Sequence, residues 1–134
     1  RFLYVGYDES GEVPVGTAFS VGGPGFWGPI EAIVAVDDSS STVIGVNFTR
    51  HTETPGLGAR MTEPFFRNQF RGLSLGVDEG EPLFRLVPAG TSSSAEELDA
   101  ITGATQTSEA IERFLNRELK RFVETESKGS GEGT

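Results

Sequence analysis

Four hydroxyl side chains, Thr102, Thr105, Thr107 and Ser108, fall within seven residues of the segment Asp99-Ala100-Ile101-Thr102-Gly103-Ala104-Thr105-Gln106-Thr107-Ser108. The segment runs directly into an amphipathic stretch. A helix opening there leaves its first N–H groups without intrahelical acceptors and carries the positive end of its dipole at that point. Hydroxyl donors and small residues at such an end form a ready anion site. Gly103 and Ala104 permit close approach of a ligand. Ordinary N-capping by Ser or Thr uses the same residues. Nothing in the spacing prefers Thr105 over Thr107 as the residue that would meet an anion.

Other candidate chemistry is weaker. Gly23-Pro24-Gly25-Phe26-Trp27-Gly28 satisfies G-x-G-x-x-G, but Pro29 and a β-prone run follow it where a dinucleotide site needs a helix. A turn between strands explains it better. Trp27 in that loop is either an aromatic ligand contact or a core residue. His51, with Glu53 nearby, is the single histidine of a chain without cysteine, so no usual catalytic zinc set can be assembled. No G-x-S-x-G elbow accompanies it. Asn47-Phe48-Thr49 is a formal glycosylation sequon inside an apolar strand pattern and is read as accidental.

The chain's 134 residues fit one domain, and its ten Phe provide core material. A formal net charge of −9 disfavours nucleic acid and anionic lipid surfaces as partners. Any bound phosphate must be held by local donors and dipoles. Without cysteine, disulfides and thiol nucleophiles are excluded. No apolar run is long enough to cross a membrane as a helix, and no signal peptide is visible. The start at Arg1, without Met, leads us to expect a soluble piece of a longer protein.

These residues must be positioned by an α+β fold: an antiparallel sheet of meander hairpins with a long amphipathic C-terminal helix packed against it. Strands are expected at Phe2–Tyr7, Pro14–Val21, Ile30–Val36 and Thr42–Arg50. Turns are expected at Asp8–Glu12 and Asp37–Ser41, and a Gly/Pro loop over Gly22–Pro29. His51–Gly58 breaks the pattern, and Glu63–Phe70 reads as a short helix with Pro64 in its first turn. Leu83–Val87 reads as a late strand. Ser94-Ala95-Glu96-Glu97 reads as a helix-starting capping box. Ile111, Phe114, Leu115, Leu119, Phe122 and Val123 share one helical face, opposite Glu112, Arg113, Arg117, Glu118 and Lys120. The Gly/Ser/Glu-rich composition of Ser127–Thr134 predicts a disordered tail, leaving 1–126 as the domain.

Three segments, in order, resemble the FMN-binding domain family. Asp99-Ala100-Ile101-Thr102-Gly103-Ala104-Thr105 is similar to its flavinylation motif, an Asp followed after two residues by Ser/Thr-Gly-Ala-Thr. Gly23-Pro24-Gly25-Phe26-Trp27-Gly28-Pro29-Ile30 resembles its Gly-x-Gly-Leu/Phe-Trp segment, and Glu53-Thr54-Pro55-Gly56-Leu57-Gly58 its Glu-Thr-Pro-Gly-Leu-Gly loop. The family's members include components of the Rnf electron-transport complex and of the sodium-pumping NADH:quinone reductase.

The resemblance implies an electron-transfer domain carrying FMN, attached through its phosphate to Thr105 by a flavin transferase. It implies a cofactor site made of Thr102, Gly103, Ala104, Thr105, Thr107, Ser108, Glu53, Thr54, Pro55, Gly56, Leu57 and Trp27. No catalytic residue and no metal are implied. The expected partners are other subunits of a membrane redox complex. The expected location is its extracytoplasmic (periplasmic) face, held there by an anchor outside this sequence. The members' N-terminal membrane helix has no counterpart in these residues. Two alternatives stay open: a non-redox extracytoplasmic binding module, and a soluble flavin reductase with reversibly bound FMN.

Overall fold

A computed structural model describes residues 3–7, 9–11, 14–76 and 80–132. Of the expected elements, Phe2 of the first strand, Asp8 and Glu12 of the first turn, and 133–134 of the tail lie outside these residues. Strands β1 (Leu3–Tyr7), β2 (Pro14–Pro24), β3 (Pro29–Asp37) and β4 (Val43–Arg50) form one antiparallel sheet in the order β1-β2-β3-β4. This is the meander expected from the sequence. Alternation along β3 is clean: Ile30, Ala32, Val34 and Val36 are buried, while Glu31 is exposed. The turn between β3 and β4 is held by Asp37, whose Oδ1 accepts the N–H groups of Ser41 (2.8 Å) and Thr42 (3.2 Å). These bonds, first that from Ser41, hold the Asp37 carboxyl below its ordinary pKa.

β2 runs three residues past the strand end expected at Val21. Gly22, Gly23 and Pro24 pair with Glu31, Ile30 and Pro29. The reason is tertiary. A Cβ on Gly23 would run into the Phe114 side chain, including Phe114 Cγ at 2.7 Å, so the bare backbone is what lets the long helix rest on the strand. Gly23→Ala is therefore expected to destabilise the domain by about 1–3 kcal/mol through overpacking. Urea denaturation of the variant checks this, and an unchanged midpoint would contradict the packing described.

That helix, α2, spans Thr105–Glu132. It extends over most of the segment whose composition predicts a disordered tail. Its apolar face, from Ile111 through Phe122, lies against the inner face of the sheet. Phe122 stacks on Phe19 with ring centroids 4.1 Å apart and planes within 6°. A second aromatic group closes the far side: Phe48 of β4 meets Phe66 and Phe70, and Phe70 meets Phe84. Phe66 lies in α1 (Pro64–Arg67), which a single 3-10 turn over Asn68–Phe70 continues. The expected short helix is thus present in two pieces.

Residues 94–97 do not start a helix. Glu97–Asp99 forms β6, which pairs in parallel with β5 (Arg85–Val87). The Glu97 carboxylate accepts from Ser93 N and Ser93 Oγ, both at 2.8 Å, while Arg85 N donates to Glu96 O. Pairing with β5 and burial of Leu98 prevail over a local capping signal. Side chains of α2 complete the backbone bonding of this region. Asn116 accepts from Leu83 N at 2.7 Å and donates to Phe84 O, and Glu112 accepts from Leu86 N at 2.6 Å. Glu112, which periodicity places on the charged face, is therefore half-buried.

Candidate functional site

The sheet's β2–β3 end, the loop after β4 and the start of α2 meet at one corner. The β2–β3 connection is a tight turn, Gly25 N donating to Gly28 O at 2.7 Å. It lifts Phe26 and Trp27 off the sheet. Both rings are exposed, Trp27 at 63%, with centroids 4.7 Å apart. Trp27 is therefore not a core residue. The loop after β4 folds on Thr54 O, which accepts from Leu57 N and Ala59 N. The approach to α2 turns at Gly103, whose φ of +79° suits a residue without a side chain.

Between these segments lies an open cleft of about 310 Å³, lined by Phe26, Trp27, Thr54, Leu57, Gly58 and residues 103–107. Larger grooves exist elsewhere, of about 440, 590 and 650 Å³, but none reaches the start of α2. The first helical bond of α2 is Ser108 N to Ala104 O, 3.0 Å. The N–H groups of Thr105, Gln106 and Thr107 thus precede the intrahelical ladder, and all three residues line the cleft. No lining residue is basic. An anion held here would be held by backbone N–H groups, hydroxyls and the helix dipole.

The structure separates the two threonines that spacing alone could not. Thr107 is buried, and its hydroxyl donates to Glu53 Oε1 at 2.7 Å. Thr105, the first residue of α2, is exposed and borders the cleft. Ser108 is buried, and its Oγ accepts from Ile101 N at 3.1 Å. Its hydroxyl serves the turn before the helix.

Glu53 is the connecting residue. It is 4% exposed. Its Oε1 accepts from Phe26 N at 3.0 Å as well as from Thr107, and its Oε2 accepts from Trp27 N at 2.9 Å. A Cβ on Gly58 would meet Thr107 Oγ1 at 2.5 Å and Glu53 Cβ at 3.0 Å, so this close packing requires glycine. His51 stands behind, its Nδ1 accepting from Glu53 N at 3.2 Å.

Of the residues named from the sequence, Trp27, Thr54, Leu57, Gly103, Ala104, Thr105 and Thr107 line the cleft. Glu53 and Ser108 lie behind its wall. Thr102, Pro55 and Gly56 are exposed nearby without lining it. Phe26, Gly58 and Gln106 line it and were not singled out. Phe26 and Gly58 sit inside the two quoted loop segments, which was the available signal. Asp99, which begins the hydroxyl-rich segment, points elsewhere: its backbone pairs with the Gln69 amide at 2.8 and 3.0 Å, and its Oδ1 accepts from Gly90 N. Among the described residues no group of three metal-ligating side chains occurs, and no helix is long and apolar enough to cross a membrane.

Comparison with known proteins converges on this corner. The family described as "FMN-binding domain" matches residues 25–120, which hold the aromatic turn, the Glu53 loop and the start of α2. The chain is 37% identical over 95 residues to the NqrC component of the Na(+)-translocating NADH-quinone reductase of Yersinia pestis, and 35% identical over 97 residues to that of Vibrio anguillarum. The alignments cover 70% and 72% of this chain but 36% and 38% of those relatives, so the chain spans little more than a third of their length. The fold is similar to that of Shewanella oneidensis NqrC, with a TM-score of 0.79 and 30% identity over 87% of this chain and 54% of that one. It is also similar to the corresponding component of the Na(+)-translocating NADH-quinone reductase from Parabacteroides distasonis, with a TM-score of 0.77 and 30% identity over 90% and 60% of the two chains.

Proposed function

Since the chain belongs to the FMN-binding domain family, we propose that it carries one FMN, bonded through its phosphate to Thr105, as the electron-transfer domain of a membrane redox complex. The observation that carries the reading is the contrast between two hydroxyls. Thr105 lines the cleft and is exposed, whereas the Thr107 hydroxyl is committed to Glu53. FMN is the family's cofactor, and the residues present fit it. An open cleft of about 310 Å³ suits partial enclosure of a ligand, at the small end of ligand sites. Exposed Phe26 and Trp27 offer apolar faces to a flat ring, and the start of α2 offers donors to a phosphate.

The flavin supplies the redox chemistry; the protein supplies position and electrostatics. Attachment would exchange the Thr105 O–H bond for an O–P bond: the phosphoanhydride bond of an activated flavin nucleotide would break, the nucleoside monophosphate half would leave, and the hydroxyl proton would pass to a base of the transferase. A phosphodiester there would keep one negative charge, which the N–H groups of residues 105–107 and the helix dipole would stabilise. Thr54 and Leu57 also line the cleft. An electron carrier needs no acid–base side chain at the site, which accords with the lining residues.

The partners in this reading are a flavin transferase and the other subunits of a membrane complex of the kind to which the relatives belong. The domain would work on the extracytoplasmic face, where a covalent bond keeps the cofactor from being lost. Co-expression with a flavin transferase tests the reading. The intact mass is expected to rise by one FMN residue, and the yellow colour to survive denaturation. Colour lost on denaturation would instead indicate a reversible flavin reductase. No flavin despite an active transferase would leave a non-redox binding module.

A further inference from the structure

We propose that Glu53 is a positioning residue whose carboxylate locks the aromatic wall of the cleft to the first turn of α2, and that this lock sets the geometry in which Thr105 is loaded. The inference rests on Thr105 being the attachment residue and goes beyond it, because Glu53 does not line the cleft.

A buried carboxylate has to be satisfied by donors, and three converge on Glu53. They come from two distant segments: Phe26 N and Trp27 N, 27 and 26 residues before it, and Thr107 Oγ1, 54 residues after it. Each of the three donor residues lines the cleft. The carboxylate therefore joins the two sides of the cleft that no backbone ladder connects. Gly58 completes the arrangement, since any side chain there would drive Thr107 away from Glu53. Reaction at Thr105 depends on a flavin nucleotide seated against the aromatic wall with its phosphorus at the Thr105 hydroxyl, and small misplacements of such pairs cost large factors in rate.

Glu53→Gln is the informative variant. Its amide keeps one oxygen, so Phe26 N and Thr107 Oγ1 can still be served, but it turns an NH₂ donor toward Trp27 N–H. Thr107→Val removes the other end of the lock without touching Glu53. In protein without flavin, amide hydrogen exchange read by NMR is expected to quicken at least tenfold at Trp27 in Glu53→Gln, while Val34 in the middle of β3 keeps its protection. With transferase and its nucleotide donor, both variants are expected to load flavin at least tenfold more slowly than wild type. The double variant should be little slower than either single one, because opening either end already releases the aromatic wall from the first turn of α2. Thr107→Ser, which restores the donor, should load at the wild-type rate.

Loading of Glu53→Gln and Thr107→Val at the wild-type rate would overturn the proposal, whether or not Trp27 exchange changes. So would unchanged Trp27 exchange in Glu53→Gln. If wild type itself takes up no flavin, the assignment of Thr105 fails and takes the loading role of Glu53 with it, while the exchange measurement still decides whether the lock exists.

Discussion

Thr105→Ala, co-expressed with a flavin transferase, is expected to carry no covalent flavin at all, with an intact mass equal to that of its bare chain. The effect is complete rather than partial because the other nearby hydroxyls are not equivalent substitutes. Thr107 is buried and donates to Glu53, and Ser108 is buried and accepts from Ile101 N. Thr102 is exposed but precedes the Gly103 turn and does not line the cleft. Folding should be spared. Thr105 is exposed at the first helical position, where a change of this kind costs within about 0.5 kcal/mol. An unchanged melting temperature would therefore separate lost attachment from lost structure. Thr105→Ser keeps a hydroxyl at the same place and should restore the mass gain. Covalent flavin on Thr105→Ala, seen as fluorescence that survives a denaturing gel, would refute the assignment.

Phe122→Ala is expected to be the most damaging change outside the site, costing about 3–5 kcal/mol. Phe122 is 1% exposed and its partner Phe19 is fully buried, so truncation opens a cavity beneath α2. The near-parallel stacking at 4.1 Å adds about 0.5–1.5 kcal/mol beyond area burial. For a domain of this size, the melting temperature should fall by roughly 10 °C or more. The neighbouring Arg121 is exposed, and its ion pair with Glu118 spans 3.3 Å. Arg121→Ala should shift stability by less than about 1 kcal/mol. Chemical denaturation of the two variants side by side checks the contrast, and a Phe122→Ala loss no larger than that of Arg121→Ala would contradict the packing.

Much of the fold is legible because its signals are local. The apolar run Ile30–Val36 marks a buried strand, and a helical stripe through Ile111, Phe114, Leu115, Leu119 and Phe122 states which face of the helix is buried. The exceptions share a cause. Gly22 and Gly23 look like loop residues, yet they extend β2, and at Gly23 the bare backbone is what lets Phe114 of α2 rest on the strand. Ser94–Glu97 looks like a helix start, yet β6 forms because β5 offers a backbone to pair with. Glu112 looks like a solvated charge, yet Leu86 N needs an acceptor. In each case the deciding partner lies in another element of the fold.

The site divides along the same line. Read by itself, the sequence determines that hydroxyls cluster at the opening of an amphipathic helix, in an acidic chain that must hold phosphate by local donors. That follows from residue type and short-range spacing, and the resemblance to a known family rests on short strings of the same kind. Only the tertiary structure makes Thr105 and Thr107 different. They are two residues apart in one helical turn, and residue type does not distinguish them. The distinction comes from Glu53, 54 residues earlier, which takes up the Thr107 hydroxyl in the interior and leaves Thr105 facing the cleft. A buried carboxylate must find donors wherever the fold supplies them, and that requirement is invisible until the chain has folded.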